Sequence, residues 1–100
     1  MVFNIEKGHL ELVKRILKNF IPDANVYVFG SRAKNNTKPY SDLDLAVDLN
    51  GQKLDLSTLA KLTSAFEQTT IPYKIDVIDF NGISDEFKNN IKNDLVKLEF

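Results

Sequence analysis

The sequence predicts a small α/β (α+β) domain in which helices cover one face of a mixed β-sheet. Segments with the apolar period of an amphipathic helix alternate with short runs of β-forming residues, which favours this layered arrangement. The predicted order of elements is α-β-β-α-β-α, with a loop between the first two strands. The chain has 100 residues, a length typical of one domain, and we assign residues 1–100 to it.

The first predicted helix covers residues 4–20 and is followed by a short strand. Asn4 is a candidate N-cap, and Pro22 ends the helical segment. Residues 26–29 are an apolar run of β-formers that stops at Gly30, so we expect a buried strand there. The apolar residues of the helix recur every three or four positions, with basic residues between them: Leu10, Val13, Ile16, Leu17 and Phe20.

The second predicted strand, residues 42–49, has one apolar face and one acidic face. Side chains alternate between the two faces of a strand. We therefore expect the apolar face to pack against helices and the acidic face to lie on the opposite side of the sheet. The apolar positions are Leu43, Leu45, Val47 and Leu49, and the positions between them are Asp42, Asp44, Ala46 and Asp48.

The rest of the chain predicts a helix, a third strand and a last helix. Residues 55–69 form the second helix, and Pro72 follows it. Residues 73–80 form the third strand, and Ser84 is a candidate N-cap for the last helix. The apolar stripe of the second helix is Leu56, Leu59, Leu62 and Phe66, and that of the last helix is Phe87, Ile91, Leu95 and Leu98.

The composition excludes several kinds of chemistry. The chain has no cysteine, which rules out disulfides, thiolate metal sites and a cysteine nucleophile. A net charge of -1 and a pI of about 5.7 argue against a protein whose main task is to bind nucleic acid. We see neither a signal peptide nor an apolar run near the roughly 20 residues that cross a bilayer, so we expect a soluble cytoplasmic protein.

The turn after the first strand is a candidate phosphate-binding element. Gly30 permits a tight turn and a close approach of a ligand to the backbone. Ser31 can cap a short helix that runs through Arg32, Ala33 and Lys34, and a helix N-terminus attracts anions. Arg32 and Lys34 would add mobile cations. An ordinary strand-to-helix turn with two solvated cations is the structural alternative.

Paired aspartates on the second strand are candidate metal ligands. Asp42 and Asp44 point to the same face, about 7 Å apart along the strand. Carboxylates this close repel one another, and a Mg²⁺ ion between them relieves the repulsion. The alternative is the charged face of an edge strand that prevents aggregation. Asp48 lies farther along the strand, and we expect it to be solvated.

A third carboxylate could complete a site for two metal ions. Asp76 is the best candidate, because it interrupts an apolar β-run in which an unpaired charge is costly. Asp79 is the competitor, but it has the opposite side-chain parity and lies nearer the end of the strand. We therefore expect Asp79 to face solvent. His9, the single histidine, is expected at the surface without a ligand role.

Together these residues form a recognisable pattern. Gly30-Ser31, ten intervening residues and then Asp42-Leu43-Asp44 follow a short apolar strand, and Asp76 lies on a later strand. The pattern resembles the signature of the DNA polymerase β-like nucleotidyltransferase superfamily, and in particular the minimal nucleotidyltransferases of prokaryotes. The sequence departs from it at Asn35, which stands where the family usually has a second glycine, and at Asp94, where a glycine is also common.

The resemblance implies a role for each site residue. Asp42 and Asp44 would bind two Mg²⁺ ions, and Asp76 would complete the shell of the catalytic ion and help to activate the acceptor hydroxyl. Gly30 and Ser31 would hold the triphosphate of a nucleotide such as ATP. Arg32 would assist them.

The resemblance also implies a partner. Similar proteins act as antitoxins of helical HEPN-domain toxins and add AMP to a tyrosine of the toxin. Two alternatives remain open: an antitoxin that neutralises its partner by contact alone, and a small-molecule nucleotidyltransferase that needs a second subunit. The residues identify neither the base nor the acceptor, and they leave a homo-oligomer open.

Overall fold

The computed structural model describes residues 5–34 and 38–100, which form helices and strands in alternation. In chain order the elements are α1 (Lys7–Phe20), β1 (Asn25–Phe29), a 3₁₀ turn (Gly30–Ala33), β2 (Leu43–Asp48), α2 (Leu56–Glu67), β3 (Ile75–Asp79), α3 (Asp85–Ile91) and β4 (Val96–Leu98). No helix in these two ranges is long and apolar enough to cross a membrane; the longest, α1, has 14 residues.

The four strands form one mixed sheet in the order β3-β2-β1-β4. β1 pairs antiparallel with β2 and with β4, whereas β2 and β3 are parallel and are joined by α2. A parallel pair needs such a crossover connection, because the chain must return to the end of the sheet at which the first strand began. The structure therefore confirms the predicted mixed sheet.

The hydrophobic core lies between one face of the sheet and the helices α1 and α2. Every second residue of β1 and β2 points into it, as the alternating pattern predicted. The residues of this core that are at most 4% exposed include Val13, Leu17, Val26, Val28, Leu43, Leu45, Val47, Leu62, Phe66 and Leu98. The same alternation directs the intervening residues of β2 and β3 to the opposite face, where the candidate site lies.

The prediction of the last helix is wrong in its second half. α3 ends at Ile91, and Val96–Leu98 instead form β4, which pairs with β1. Leu98 is 2% exposed and belongs to the core, so its burial comes from a strand and not from a helical stripe. Three residues are too few to show a strand period, and only the hydrogen-bonding edge of β1 decides their conformation.

Two helix caps explain where the later helices begin. The Asp55 side chain accepts a hydrogen bond from the Thr58 amide at 2.7 Å and begins α2. The Ser84 hydroxyl accepts one from the Phe87 amide at 3.1 Å and begins α3, which confirms the predicted cap. The predicted cap at Asn4 lies outside the described residues.

The assignment of β4 can be tested by shortening its buried side chain. Leu98→Ala removes apolar volume from the core, so we expect it to lower the free energy of unfolding by about 2–5 kcal/mol. Lys97→Ala on the same strand is the control, because Lys97 is exposed, and a change below about 0.5 kcal/mol is expected. Urea unfolding measures both. Equal losses in the two variants would contradict the inward orientation of Leu98.

Candidate active site

Strand pairing brings three distant parts of the sequence together at Asp44. Asp44 lies on β2 opposite Phe29 of β1 and opposite Asp76 of β3. Gly30 follows Phe29 directly, so the turn begins beside Asp44. Asp42 is exposed and lies just before β2. The residues of the sequence pattern, separated by up to 46 positions, therefore share one region of the sheet.

The carboxylates around Asp44 destabilise its charge. Burial raises the pKa of Asp44, and the charges of Asp76 and Asp42 raise it further, while Lys74 opposes them. Such mutual repulsion is the condition that a divalent cation relieves. The donor set fits Mg²⁺ in chemical terms, because it consists of carboxylate oxygens, the ligands that this ion prefers in proteins.

Lys74 is the cation nearest to the third carboxylate. Its Nζ lies 3.1 Å from Asp76 Oδ1, and the hydrogen bond and charge of Asp76 raise the pKa of Lys74, with a smaller contribution from Asp42. Within residues 5–34 and 38–100, no three acidic or histidine side chains converge closely enough to hold a metal ion. Asp76 is thus paired with Lys74 in this structure.

Gly30 is required by both its conformation and its neighbour. Its φ is +74°, a left-handed conformation that residues with a side chain rarely adopt. A Cβ atom built on Gly30 would lie 2.5 Å from Asp44 Oδ2, which is closer than real Cβ contacts allow. The backbone of the turn therefore lies directly against the Asp44 carboxylate. The close approach of a ligand to this backbone stays a prediction.

Ser31 does not cap the short helix as expected. The 3₁₀ turn begins one residue earlier, at Gly30, and its N-cap position is Phe29, without a side-chain cap. The Ser31 carbonyl oxygen accepts a hydrogen bond from the Lys34 amide at 3.0 Å. The expected cap is therefore wrong, because the glycine already turns the chain. A phosphate contact by Ser31 stays a prediction.

Arg32 is not the mobile cation that the sequence predicted. It is 4% exposed, and its Nε and Nη2 donate hydrogen bonds of 2.9 Å to the carbonyl oxygens of Ser41 and Pro39. Its guanidinium also lies 3.8 Å from the centre of the Tyr73 ring. The side chain is held against the loop backbone, and a contact of Arg32 with a triphosphate stays a prediction. The other predicted cation, Lys34, forms an ion pair, with its Nζ 3.5 Å from Asp94 Oδ2.

Asp48 and Asp79, which the sequence analysis expected to face solvent, instead accept hydrogen bonds from loops. Asp79 has the predicted opposite parity, but its carboxylate accepts hydrogen bonds from the amides of Leu54 and Asn81, at 3.0 and 3.2 Å. Asp48 accepts from the Gly51 amide at 2.9 Å and from the Asn81 side chain at 2.7 Å. Amides of the following loops therefore donate hydrogen bonds to both carboxylates.

Sequence reasoning missed two residues beside the site. Lys74 lies two positions before Asp76, so the alternation of side chains could have placed it on the same face. Tyr73 had no sequence signal, because its contacts come from Arg32 and from His9 on α1. The departure at Asn35 lies outside the described residues.

A cavity of about 550 Å³ adjoins the acidic cluster. It lies between α2 and β3, which is one of the two edge strands of the sheet. Asp76 and Lys74 form part of its wall. Phe66 and Glu67 of α2 line the other side. The cavity offers both apolar and charged contacts next to the third carboxylate, as a substrate pocket requires.

The fold and the site together define a nucleotidyltransferase. A mixed sheet carries a glycine-serine turn against a strand carboxylate, with a third carboxylate on the adjacent parallel strand. The family model described as "Polymerase beta, Nucleotidyltransferase" matches residues 11–98. The chain belongs to this family, as the sequence pattern indicated.

Relatives and solved structures agree with this assignment. A protein of Haemophilus influenzae, named as a probable protein adenylyltransferase, MntA, is 35% identical over 96 residues, which cover 96% of this chain and 83% of the relative. A relative from Methanocaldococcus jannaschii is 30% identical over 93 residues, covers 93% of this chain and 96% of its own length, and is also named as a protein adenylyltransferase.

Two solved structures share the fold. A structure described as a minimal nucleotidyltransferase superimposes with a TM-score of 0.68 at 26% identity and covers 92% of this chain and 91% of its own. A toxin–antitoxin structure with AMP-PNP gives a TM-score of 0.74 at 21% identity and covers 90% and 72%.

Substitution of Gly30 tests the contact with Asp44. Gly30→Ala must adopt a positive φ and push against the carboxylate, so we expect a loss of more than about 1 kcal/mol in stability and of about 100-fold in transfer rate. Gly51→Ala is the matched control, because Gly51 has a φ of +83° but no atom within 4 Å of a built Cβ. Thermal unfolding and rate measurements distinguish the two. Identical behaviour of the variants would contradict the contact.

The raised pKa of Asp44 predicts a stability gain on neutralisation. The ionised carboxylate destabilises the fold above the ordinary pKa of 3.8, so Asp44→Asn should raise the melting temperature by a few degrees at pH 7 in EDTA. The gain should vanish as the pH falls through the folded-state pKa toward 3.8, where the wild-type carboxyl is protonated. Differential scanning calorimetry measures the difference.

The control for this experiment is Asp48→Asn on the same strand. Asp48 accepts hydrogen bonds from Gly51 and Asn81, so the loss of its charge should lower the melting temperature. A melting temperature of Asp44→Asn at or below that of the wild type at pH 7 would rule out the repulsion.

Proposed function

We propose that this protein transfers AMP from ATP to a hydroxyl group of a partner protein in a reaction that depends on Mg²⁺, and that it acts as the antitoxin of a HEPN-type toxin. The observation that carries the proposal is the cluster of Asp42, Asp44 and Asp76 with Gly30 against Asp44. The names of the two relatives and the toxin–antitoxin structure with AMP-PNP support the finer assignment. We assign this function to one domain, residues 1–100, acting in the cytoplasm.

Each site residue then has a defined task. Asp42 and Asp44 would hold two Mg²⁺ ions, and Asp76 would be a further ligand of the catalytic ion. When bound, the ions neutralise charge on the triphosphate and lower the pKa of the acceptor hydroxyl. The backbone of Gly30, which lies against Asp44, and the Ser31 side chain that follows it position the β- and γ-phosphates.

The chemical step exchanges one oxygen bond at the α-phosphorus for another. The acceptor oxygen forms a bond to the α-phosphorus, and the bond from that phosphorus to the bridging oxygen breaks, which releases pyrophosphate. An oxygen of the Asp76 carboxylate accepts the hydroxyl proton, and the raised pKa of Lys74 keeps an ammonium beside it. The acceptor reaches Asp76 through the cavity between α2 and β3.

Labelled ATP tests the proposed transfer. The protein, Mg²⁺ and the proposed HEPN-type partner are incubated with ATP labelled at the α- or at the γ-phosphate. We expect α-label, but not γ-label, on the partner. Asp44→Asn should lower the rate at least about 100-fold, since one charged group at the reaction centre is lost. Transfer of γ-label would identify a kinase and overturn the proposal.

The pairing of Asp76 with Lys74 favours one alternative, an antitoxin that works by contact alone. The two functions differ in how neutralisation depends on Asp44. If Asp44→Asn binds the partner as tightly as the wild type but no longer blocks its activity, transfer is the mechanism. If the variant still blocks it fully, contact is sufficient.

A further inference from the structure

Arg32 is a buried cation attached to the loop that leads into the acidic strand. It is 4% exposed, and it donates hydrogen bonds to the carbonyl oxygens of Pro39 and Ser41, both at 2.9 Å. A buried guanidinium is costly unless its donors are satisfied, so these contacts keep the side chain in place. Ser41 is the residue before Asp42, which means that Arg32 holds the peptide group on the N-terminal side of Asp42.

The backbone on the other side of Asp42 is also held. The amide of Leu43 donates a hydrogen bond of 2.9 Å to the carbonyl oxygen of Lys74. Asp42 itself is exposed and lies outside β2, so strand pairing does not determine its direction. The two flanking contacts, from Arg32 and from Lys74, therefore hold the backbone on both sides of Asp42.

Tyr73 provides the surface on which Arg32 rests. The guanidinium lies 3.8 Å from the centre of the ring, a favourable cation–π distance. The edge of the same ring contacts His9 on α1, with centroids 5.5 Å apart, and the hydroxyl lies 3.2 Å from His9 Nδ1. Tyr73 precedes Lys74, so one short segment supports Arg32 and also holds Leu43.

We propose that Arg32 is a positioning residue that, resting on Tyr73, orients Asp42 so that its carboxylate shares a cation with Asp44. This inference rests on the proposed metal-binding role of Asp42. It departs from the role that the family resemblance implied, in which Arg32 contacts the triphosphate. The Nε and Nη2 atoms of this buried guanidinium are used on two backbone carbonyl groups of the loop, which supports a role in holding the loop.

The experiment measures metal affinity without nucleotide, where a phosphate-binding role has no effect. Mn²⁺ replaces Mg²⁺, and its free concentration is followed by electron paramagnetic resonance. Arg32→Lys keeps the charge but loses the planar fork that spans two carbonyl groups, so we expect about 10-fold weaker Mn²⁺ binding. In activity assays kcat should fall while the KM for ATP stays within about twofold.

Variants of Tyr73 and Arg15 provide the controls. Tyr73→Leu removes the ring face and should reproduce the effect of Arg32→Lys, whereas the conservative variant Tyr73→Phe keeps the ring and should restore Mn²⁺ binding to near the wild-type affinity. Arg15→Lys makes the same exchange at the chain's other arginine, which is exposed on α1, and should change nothing. Circular dichroism checks that each variant is folded.

Three outcomes would overturn the inference in distinguishable ways. If Asp42→Asn weakens Mn²⁺ binding but Arg32→Lys and Tyr73→Leu do not, the metal site stands and the positioning role fails. If Arg32→Lys binds Mn²⁺ normally and raises only the KM for ATP, Arg32 is a phosphate ligand. If Asp42→Asn leaves Mn²⁺ binding unchanged, the metal-binding role of Asp42 in the proposed function fails, and the positioning role with it.

Discussion

The carboxylate of Asp44 lies between the backbone of Gly30 and two further carboxylates, and the site depends on the strand that holds it there. Burial and repulsion both disfavour its charge, so the rest of β2 must compensate. β2 pairs on both edges, with β1 and β3, and its apolar residues are fully buried against the helices. A strand held in this way keeps Asp44 beside Gly30 and opposite Asp76, where a bound cation would relieve the unfavourable charge.

The electrostatic balance of the site is completed by one lysine. Lys74 partly offsets the acidic cluster through Asp76, at the edge strand of the sheet. Because the lysine is exposed, its ion pair contributes little to stability and separates easily. The central carboxylate is therefore fixed by the core, whereas the third carboxylate lies beside a cavity and has an exchangeable partner. This difference suits a site in which one part holds nucleotide and the other meets an acceptor.

Polar residues around the site divide into two groups with different surroundings. The charges of Asp42 and Asp76 act on Asp44, whereas Asp48 and Asp79 accept hydrogen bonds from loop amides. Arg32 belongs with the second group, because backbone carbonyl groups and an aromatic ring surround it. Residue type alone does not separate the groups: the distinction lies in which donors and charges the fold brings to each side chain.

The sequence alone determined the sheet with its helical layer, the acidic face of β2 and the parity of Asp76, because these follow from local periodicity. The Gly30 turn was also predictable, since few residues other than glycine tolerate its φ. Only the tertiary structure decided that residues 96–98 pair as β4, that Asp76 contacts Lys74 and that Arg32 is buried on Tyr73. Each of these depends on contacts between residues far apart in the chain, which no local pattern records.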